Sequence, residues 1–265
     1  MPDTTIPDEV RHFPEDGHPR KVVGLAADLP RGYVNDWHAH ARGQLLYTRS
    51  GAVTVATDFG IHVLPPDRAL WIPPQIRHAT RYLAPSELRT IYVRTDRASG
   101  LPTLTTAVNV TPLLRELIVA FMNVPRDYDE GGPAGRLVDV LLDQVVAAPA
   151  ATLRLPIPDD RKLQALAEAV RAEPEKPIAT KDVARRLAMS LRTFERRFRA
   201  ETGMSFRVWR SKAKMLKALE LLSLNLSVAE TADRLGYEGQ SAFIAGFKTA
   251  FGTTPGRYFP RGARQ

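Results

Sequence analysis

The chain contains no cysteine. Disulfides and thiolate metal sites are excluded, so any metal would need nitrogen or oxygen donors. No stretch approaches the roughly 18 uncharged apolar residues of a membrane span. The opening, "MPDTTIPDEVRHFPEDGHPRK", is acidic and proline-rich and lacks the basic-then-apolar order of a secretory signal. A soluble, cytoplasmic protein without a membrane partner is the expectation. A chain of 265 residues can bury a real core as one large domain or two ordinary ones.

Negative charge is scarce in one half only. Residues 1–158 carry 16 Lys and Arg against 17 Asp and Glu, a net −1, whereas residues 159–265 carry 21 against 12, a net +9. Such asymmetry points to a polyanion partner for the second half. A solvated basic surface would give the same count.

The first hundred residues read as β. "QLLYTRSG", "AVTVATDFGIHVLPP", "RALWIPP" and "ELRTIYVRT" are short, rich in Val, Ile, Tyr and Thr, and bounded by Gly, Pro or Asp. Many such strands argue for a sandwich or barrel. From Thr111 the period changes. "TPLLRELIVAFMNV" offers a Thr cap, Pro at the first helical position and apolar residues at helical spacing, and "GPAGRLVDVLLDQVVAA" is a second helix. Their apolar stripes suit either a dimer interface, which we favour, or a cover for the barrel. "APAATLRLPIPDD" (148–160) reads as a linker.

The second half repeats itself. Ala184 and Leu187 fall on Ala232 and Leu235 at a shift of 48 residues; Phe194, Phe198 and Gly203 fall on Phe243, Phe247 and Gly252 at a shift of 49. The one-residue change sits where a turn is expected. Each copy reads as a short helix, a turn, and a second helix with Phe at i and i+4. Thr180 opens one first helix, and Ser227 opens the other with Glu230 three residues on, a capping box. A helix over Phe206–Leu224 joins the copies. Two helices about a tight turn form the helix-turn-helix motif, whose second helix enters the DNA major groove; a packing repeat or solenoid fragment would share the periodicity. In "SLRTFERRFRAETG" the inward phenylalanines leave Arg192, Glu195, Arg196 and Arg199 outward, and arginine forks suit guanine edges and phosphates. Phe194, Phe198, Phe243, Phe247, Leu187 and Leu235 are expected in the core.

The second copy, "VAETADRLGYEGQSAFIAGFKTAFGTTPGRYF", with "LGY" followed by "SAF..GFK..FG.TP..Y", resembles the signature of AraC/XylS-type transcription regulators over residues 160–260. The resemblance implies a sequence-specific regulator of double-stranded DNA, with homodimerisation and RNA polymerase contact in prospect. Its base-reading places match Arg192, Glu195 and Arg196 on the first recognition helix. On the second they match Gln240, Ser241, Ile244 and Ala245, with Lys248 further along. Ala245 stands where arginine is common, so phosphate and shape readout gain weight there. Gly239 replaces the usual capping serine, a small cost since glycine is an acceptable N-cap. Phe259 stands where a closing arginine is common.

In the first half the spacing Gly32-x5-His38-x-His40-x3-Gln44-x6-Gly51, then Pro73-x-Gln75-x2-His78, is similar to the two cupin motifs. In those motifs two histidines, a glutamate and a later histidine bind a divalent metal inside a small barrel. Positions 38, 40 and 44 share parity, so a continuous strand would aim them at one face, with His78 closing the set. Gln44 stands where a metalloenzyme would have a carboxylate, which argues against turnover. Gln75 and Tyr82 also depart from the pattern. His38, His40, Gln44 and His78 are thus candidates for a divalent metal (Zn, Ni, Fe or Cu) or for the polar lining of a small-molecule effector pocket. Trp37, Tyr47 and Trp71 could line that pocket or sit in the core. His12, His18 and His62 read as surface.

The expected fold is multidomain α+β. A cupin-like β-barrel (1–110) is followed by a helical connector, possible dimerisation region and linker (111–158), then an all-α domain with two helix-turn-helix units (159–265). The main alternative is a cupin-type metalloenzyme, an oxygenase or isomerase, with an appended DNA-binding domain.

Overall fold

The computed structural model describes residues 17–151 and 154–259. Among the described residues there are ten strands: β1 (Val22–Leu29), β2 (Val34–His38), β3 (Gly43–Tyr47), β4 (Val53–Thr57), β5 (Gly60–Leu64), β6 (Arg68–Ile72), β7 (His78–Tyr82), β8 (Ser86–Val93), β9 (Thr106–Asn109) and β10 (Arg154–Leu155). They form two five-stranded sheets, in the orders β1-β8-β3-β6-β9 and β10-β5-β4-β7-β2. By contacts the chain divides into two units. One takes the chain up to Asp58 and from His62 to Leu153; the other takes Phe59–Ile61 and the chain from Arg154 onward.

In the first unit, side-chain alternation sorts β3 into two functions. Leu45 and Tyr47 join the core shared with two helices, while Gln44 and Leu46 turn toward the cavity between the sheets. Helix α1 (Pro112–Phe121) is capped by Thr111, whose side chain accepts from the Leu114 amide; α2 (Pro133–Ala147) also starts on proline. Leu114, Ile118 and Phe121 of α1 and Val138, Leu141 and Val145 of α2 bury themselves against Val22, Leu45, Trp71, Ile91 and Val93. Each such side chain is worth about 1.5–3 kcal/mol. The two helices therefore cover the first sheet within the same chain. Leu113, Val140 and Val146 remain exposed on their outer side. Trp71 belongs to this core, with its indole nitrogen donating to the Pro102 carbonyl at 2.7 Å. Its ring lies where a Cβ on Gly43 would come within 2.4 Å, which explains the glycine.

The second unit is helical: α3 (Arg161–Ala172), α4 (Thr180–Arg186), α5 (Leu191–Thr202), α6 (Phe206–Ser223), α7 (Val228–Arg234), α8 (Gln240–Phe251) and α9 (Pro255–Tyr258). Residues α4–α5 and α7–α8 are the two copies of the repeat. Phe194 and Phe198 pack edge-on against Phe206 at 5.3 Å, and Phe198 against Trp209 at 5.7 Å. Phe243 and Phe247 pack with Tyr237, Phe251 and Tyr258. Gly203 and Gly252 end the second helices with φ of 76° and 75°, the left-handed cap that glycine adopts without strain. Ser227 and Glu230 form the capping box. Ala179, not Thr180, is the N-cap of α4, and Thr180 is its first helical residue. Leu187 is half-buried where Leu235 is fully buried. The one-residue change in the repeat is now located. The first turn runs Leu187, Ala188, Met189 to the cap Ser190; the second runs Leu235, Gly236, Tyr237, Glu238 to the cap Gly239.

Candidate functional site

Three histidines meet inside the first unit. One ring nitrogen of each of His38, His40 and His78 lies within 4.8 Å of the others. The ring centroids are 4.2 Å apart for His38 and His78 and 5.1 Å for His40 and His78. They are not brought together by one continuous strand, as their parity suggested. The strand breaks after His38, His40 sits in the connection to β3, and Gln44 belongs to the opposite sheet. His38 ends β2 directly opposite His78, which begins β7. The backbone at the break is held by Gln75, whose amide donates to the His40 carbonyl at 2.9 Å. Gln75 adopts φ 63°, a conformation that glycine would hold more easily.

Each imidazole is oriented in the same way. Nδ1 of His38 lies 2.6 Å from the Asp36 carbonyl, Nδ1 of His40 lies 2.6 Å from the Arg42 carbonyl, and Nδ1 of His78 lies 2.9 Å from the Ile76 carbonyl. A carbonyl only accepts, so Nδ1 carries a proton in each ring, and in the neutral form the lone pair is then on Nε2. Burial lowers the pKa of His38 and takes that of His78 down to about 3, which keeps His78 neutral at neutral pH. The His78 side chain is fully buried, and its Nε2 has no hydrogen-bond partner among the described residues.

Gln44 completes the group. Thr90 Oγ1 gives its proton to the Leu45 carbonyl at 3.0 Å, so it must accept from Gln44 Nε2, also at 3.0 Å. Gln44 Nε2 also lies 3.2 Å from the Tyr92 hydroxyl. The amide oxygen is thereby turned toward His40, with Oε1 at 3.3 Å from Nε2. The cavity beside them is lined by Leu25, Tyr33, Asn35, Leu46, Thr80, Tyr82 and Leu88 as well as His38, Gln44, His78 and Tyr92. It offers about 10 Å³ to the centre of a water-sized sphere, room for about one water molecule.

The remaining residues of the first half fall elsewhere. Trp37 is 49% exposed, with the Arg77 guanidinium 5.6 Å over its ring, beside His38 but outside the cavity. Tyr47 is fully buried on the helix-facing side of β3 and does not meet the histidines, because odd positions of that strand face away from Gln44. His62 is a correction: it is 1% exposed in β5, within the apolar run "GIHVL", rather than on the surface. His18 is partly buried, accepting from the Arg20 amide at 3.3 Å. His12 lies outside the described residues. Thr90 and Tyr92, which position Gln44, were missed by the sequence reading. Their signal was the alternation of "SELRTIYV", where Leu88, Thr90 and Tyr92 share the inward face.

In the second unit α5 buries Phe194 and Phe198 and exposes Arg192, Arg196 and Arg199, with Glu195 half-buried. Ser190 caps its N-terminus by accepting from the Thr193 amide at 3.1 Å. Helix α8 buries Phe243 and Phe247 and exposes Gln240, Ser241, Ala245 and Lys248, with Ile244 half-buried. Its cap, Gly239, supplies no side chain. Both candidate reading faces are thus opposite the phenylalanines that anchor their helices.

Two tandem helix-turn-helix units behind a histidine-lined β-domain define a transcription regulator with DNA-binding and ligand-binding parts. The AraC-like ligand binding domain family matches residues 21–170, and a helix-turn-helix domain family matches residues 183–261. The chain belongs to the AraC-type transcription regulators. It is 34% identical over 224 residues to the HTH-type transcriptional regulator NimR of Escherichia coli strain K12, covering 84% of this chain and 82% of NimR. It is 29% identical over 103 residues to the HTH-type transcriptional regulator RipA of Corynebacterium glutamicum, covering 39% of this chain and 31% of RipA. Among solved structures, ToxT from Vibrio cholerae O395 aligns with 90% of this chain and 96% of its own at 12% identity, with a TM-score of 0.38. With relatives that are regulators, the metalloenzyme alternative gives way to a regulatory, non-enzymatic protein. Among the described residues, no helix is long and apolar enough to cross a membrane.

Proposed function

We propose that the chain regulates transcription by binding a specific double-stranded DNA site through α5 and α8, under control of a small-molecule or metal effector received by the His38, His40, Gln44 and His78 group. The observation that carries the DNA half is the pairing of two anchored helices with exposed polar faces in a segment of net charge +9. Arg192 and Arg196 have the forked donors that match guanine edges, Glu195 can accept from cytosine, and Gln240 can pair with adenine. Ser241 suits several bases, while Ile244 and Ala245 offer apolar contact to a thymine methyl. Arg199 and Lys248 suit phosphates. Two such units read two successive major grooves about 34 Å apart.

The exposed apolar residues Leu113, Val140 and Val146 on the covering helices support assembly as a homodimer. A regulator bound beside a promoter would also meet RNA polymerase. The test is selection of binding sites from random DNA by the full chain, followed by titration at several salt concentrations. One enriched sequence is expected, with affinity that falls steeply as salt rises. Failure to enrich any sequence overturns the DNA reading, and a monomer in sedimentation at micromolar concentration overturns the dimer.

A further inference from the structure

We infer that the second unit holds a binding site for a small phosphate monoester, in a cleft along α6 that Arg207, Arg210 and Lys214 line. The site goes beyond the proposed function, since it lies apart from the histidine group. Only its effect on DNA binding rests on that reading.

The cleft follows from the spacing of side chains on α6. Arg207, Arg210, Ser211 and Lys214 fall at i, i+3, i+4 and i+7, so the helix aims all four to one side, while Trp209, Ala213 and Leu216 take the buried side. Phe206, fully buried, and Ile178 give the cleft apolar surface. Thr180 from the first helix-turn-helix copy and Tyr237 from the second complete its walls. It offers about 290 Å³ to the centre of a water-sized sphere, near the lower end of the roughly 300–1,000 Å³ of ligand pockets.

Its charge is uncompensated. Among the described residues the ion pairs of the second unit join Lys176 to Glu173, Arg185 to Asp182 and Lys217 to Glu220, and none reaches Arg207, Arg210 or Lys214. The Lys214 ammonium is half-buried and lies 4.6 Å from the centre of the Tyr237 ring. Burial, then Arg210, pull its pKa down, and Glu175 opposes them from beyond ion-pair distance. The Arg210 guanidinium is fixed by donating to the Ile178 and Lys176 carbonyls at 3.2 and 2.7 Å, with N–H groups to spare. Cations gathered in this way repel unless an anion sits among them. A phosphate monoester brings a charge of about −1.5 to −2 at neutral pH and three acceptor oxygens. Arginine forks and an ammonium, with the hydroxyls of Ser211 and Thr180, are the donors that such a group takes. A backbone phosphodiester brings a single charge. Phe206 and Ile178 leave apolar surface for a small organic body beside the phosphate.

Occupancy would bear on DNA reading through Tyr237. Its ring packs against Phe243 of α8 at 5.5 Å, and its amide donates to the Ala232 carbonyl of α7 at 3.0 Å. A ligand that touches Thr180, α6 and Tyr237 together would tie the two copies to each other and so restrain the spacing of α5 and α8.

The experiment titrates phenyl phosphate and dimethyl phosphate separately into the full-length protein by calorimetry, at low salt and mildly alkaline pH. Phenyl phosphate should bind at one per chain, about 10-fold or more tightly than dimethyl phosphate, which carries the single charge of a DNA backbone phosphate. Lys214→Gln should weaken that binding about 10-fold or more. Ser211→Glu puts a carboxylate among the three cations. It should abolish binding while the melting temperature holds or rises, because a carboxylate three residues before Lys214 favours the helix. Arg196→Ala, on the reading face, should leave phenyl phosphate binding unchanged, which separates this site from the DNA reading. Failure of folded wild type to saturate below about 10 mM phenyl phosphate overturns the inference. So does equal affinity for the two probes, or equal weakening by Arg196→Ala and Lys214→Gln, which would mark a diffuse basic surface. Loss of DNA affinity in Lys214→Gln without a phenyl phosphate site would assign these cations to the DNA backbone and overturn it as well. Saturating phenyl phosphate should shift affinity for the selected DNA site about 5-fold or more. A confirmed site without that shift would uphold the ligand and overturn its tie to DNA reading.

Discussion

Ala188 and Gly236 occupy the same place in the two helix-turn-helix turns, and both hold a left-handed backbone, with φ of 54° and 62°. Each follows the C-cap leucine of the first helix, Leu187 or Leu235. The second turn uses the residue suited to that conformation, and the first does not. A Cβ in the left-handed region costs about 1–2 kcal/mol. Ala188→Gly is therefore expected to stabilise the second unit by about 1 kcal/mol, less the extra entropy that glycine gives the unfolded chain. Denaturant unfolding measures this, and a lower midpoint would show that the alanine is unstrained.

The reading helices make a second prediction. Arg196→Ala leaves the Phe194–Phe198 anchor untouched, since its side chain is exposed on the opposite face. Specific DNA affinity should fall by about 1–3 kcal/mol, or roughly 5- to 150-fold, with relaxed preference at one base position. Arg31→Ala, exposed in the β-domain, should change it little. Arg199→Ala should instead lower affinity on all sequences and reduce the salt slope by about one. Equal effects of Arg196→Ala and Arg31→Ala in gel-shift titrations would remove Arg196 from the reading face.

Gly43 makes the third. Its Cβ would meet the Trp71 ring at 2.4 and 2.6 Å, and that ring is tied by its bond to the Pro102 carbonyl. Gly43→Ala should destabilise the β-domain by about 1–3 kcal/mol, the usual range for overpacking. Tryptophan fluorescence of the variant would report a displaced indole. An unchanged melting temperature would mean that Trp71 yields freely.

Glu130 makes the fourth, and it depends on pH. Its carboxylate accepts from the Lys21 amide at 2.6 Å and pairs with Arg97 at 2.5 Å. The Lys21 bond, followed by Arg97, holds its pKa below the ordinary glutamate value. A depressed folded pKa adds stability that is present above about pH 4.5 and lost as the pH falls through the folded value. Wild type should therefore exceed Glu130→Gln in stability at neutral pH, by no more than about 1 kcal/mol for so exposed a pair. The gap should close in acid. A difference that grew as the pH fell would contradict this account.

How much of this was legible in the sequence depended on which periodicity carried the information. The second unit was legible because Phe194 and Phe198, then Phe243 and Phe247, repeat at helical spacing and depend only on local geometry. Even the inserted residue showed, though not that Glu238 in the second turn was the extra one. The histidine group was found by a parity that supposed one strand. The structure reaches the same convergence by breaking that strand and bringing Gln44 in from the facing sheet. Parity within β3 alone would have sent Tyr47 away from Gln44, as observed. His62 was misread because nothing marked the face of β5 on which it lies. For Thr90 the alternation of β8 marked the face but not the role: its effect on Gln44 depends on where a hydroxyl proton goes, and no residue pattern records that.

The enclosure of His78 bears on time as well as on affinity. A side chain with no exposed surface, beside a cavity of about one water's volume, is reached by anything larger only when the protein around it moves. If the group receives an effector as proposed above, entry and release would be paced by that movement rather than by diffusion alone.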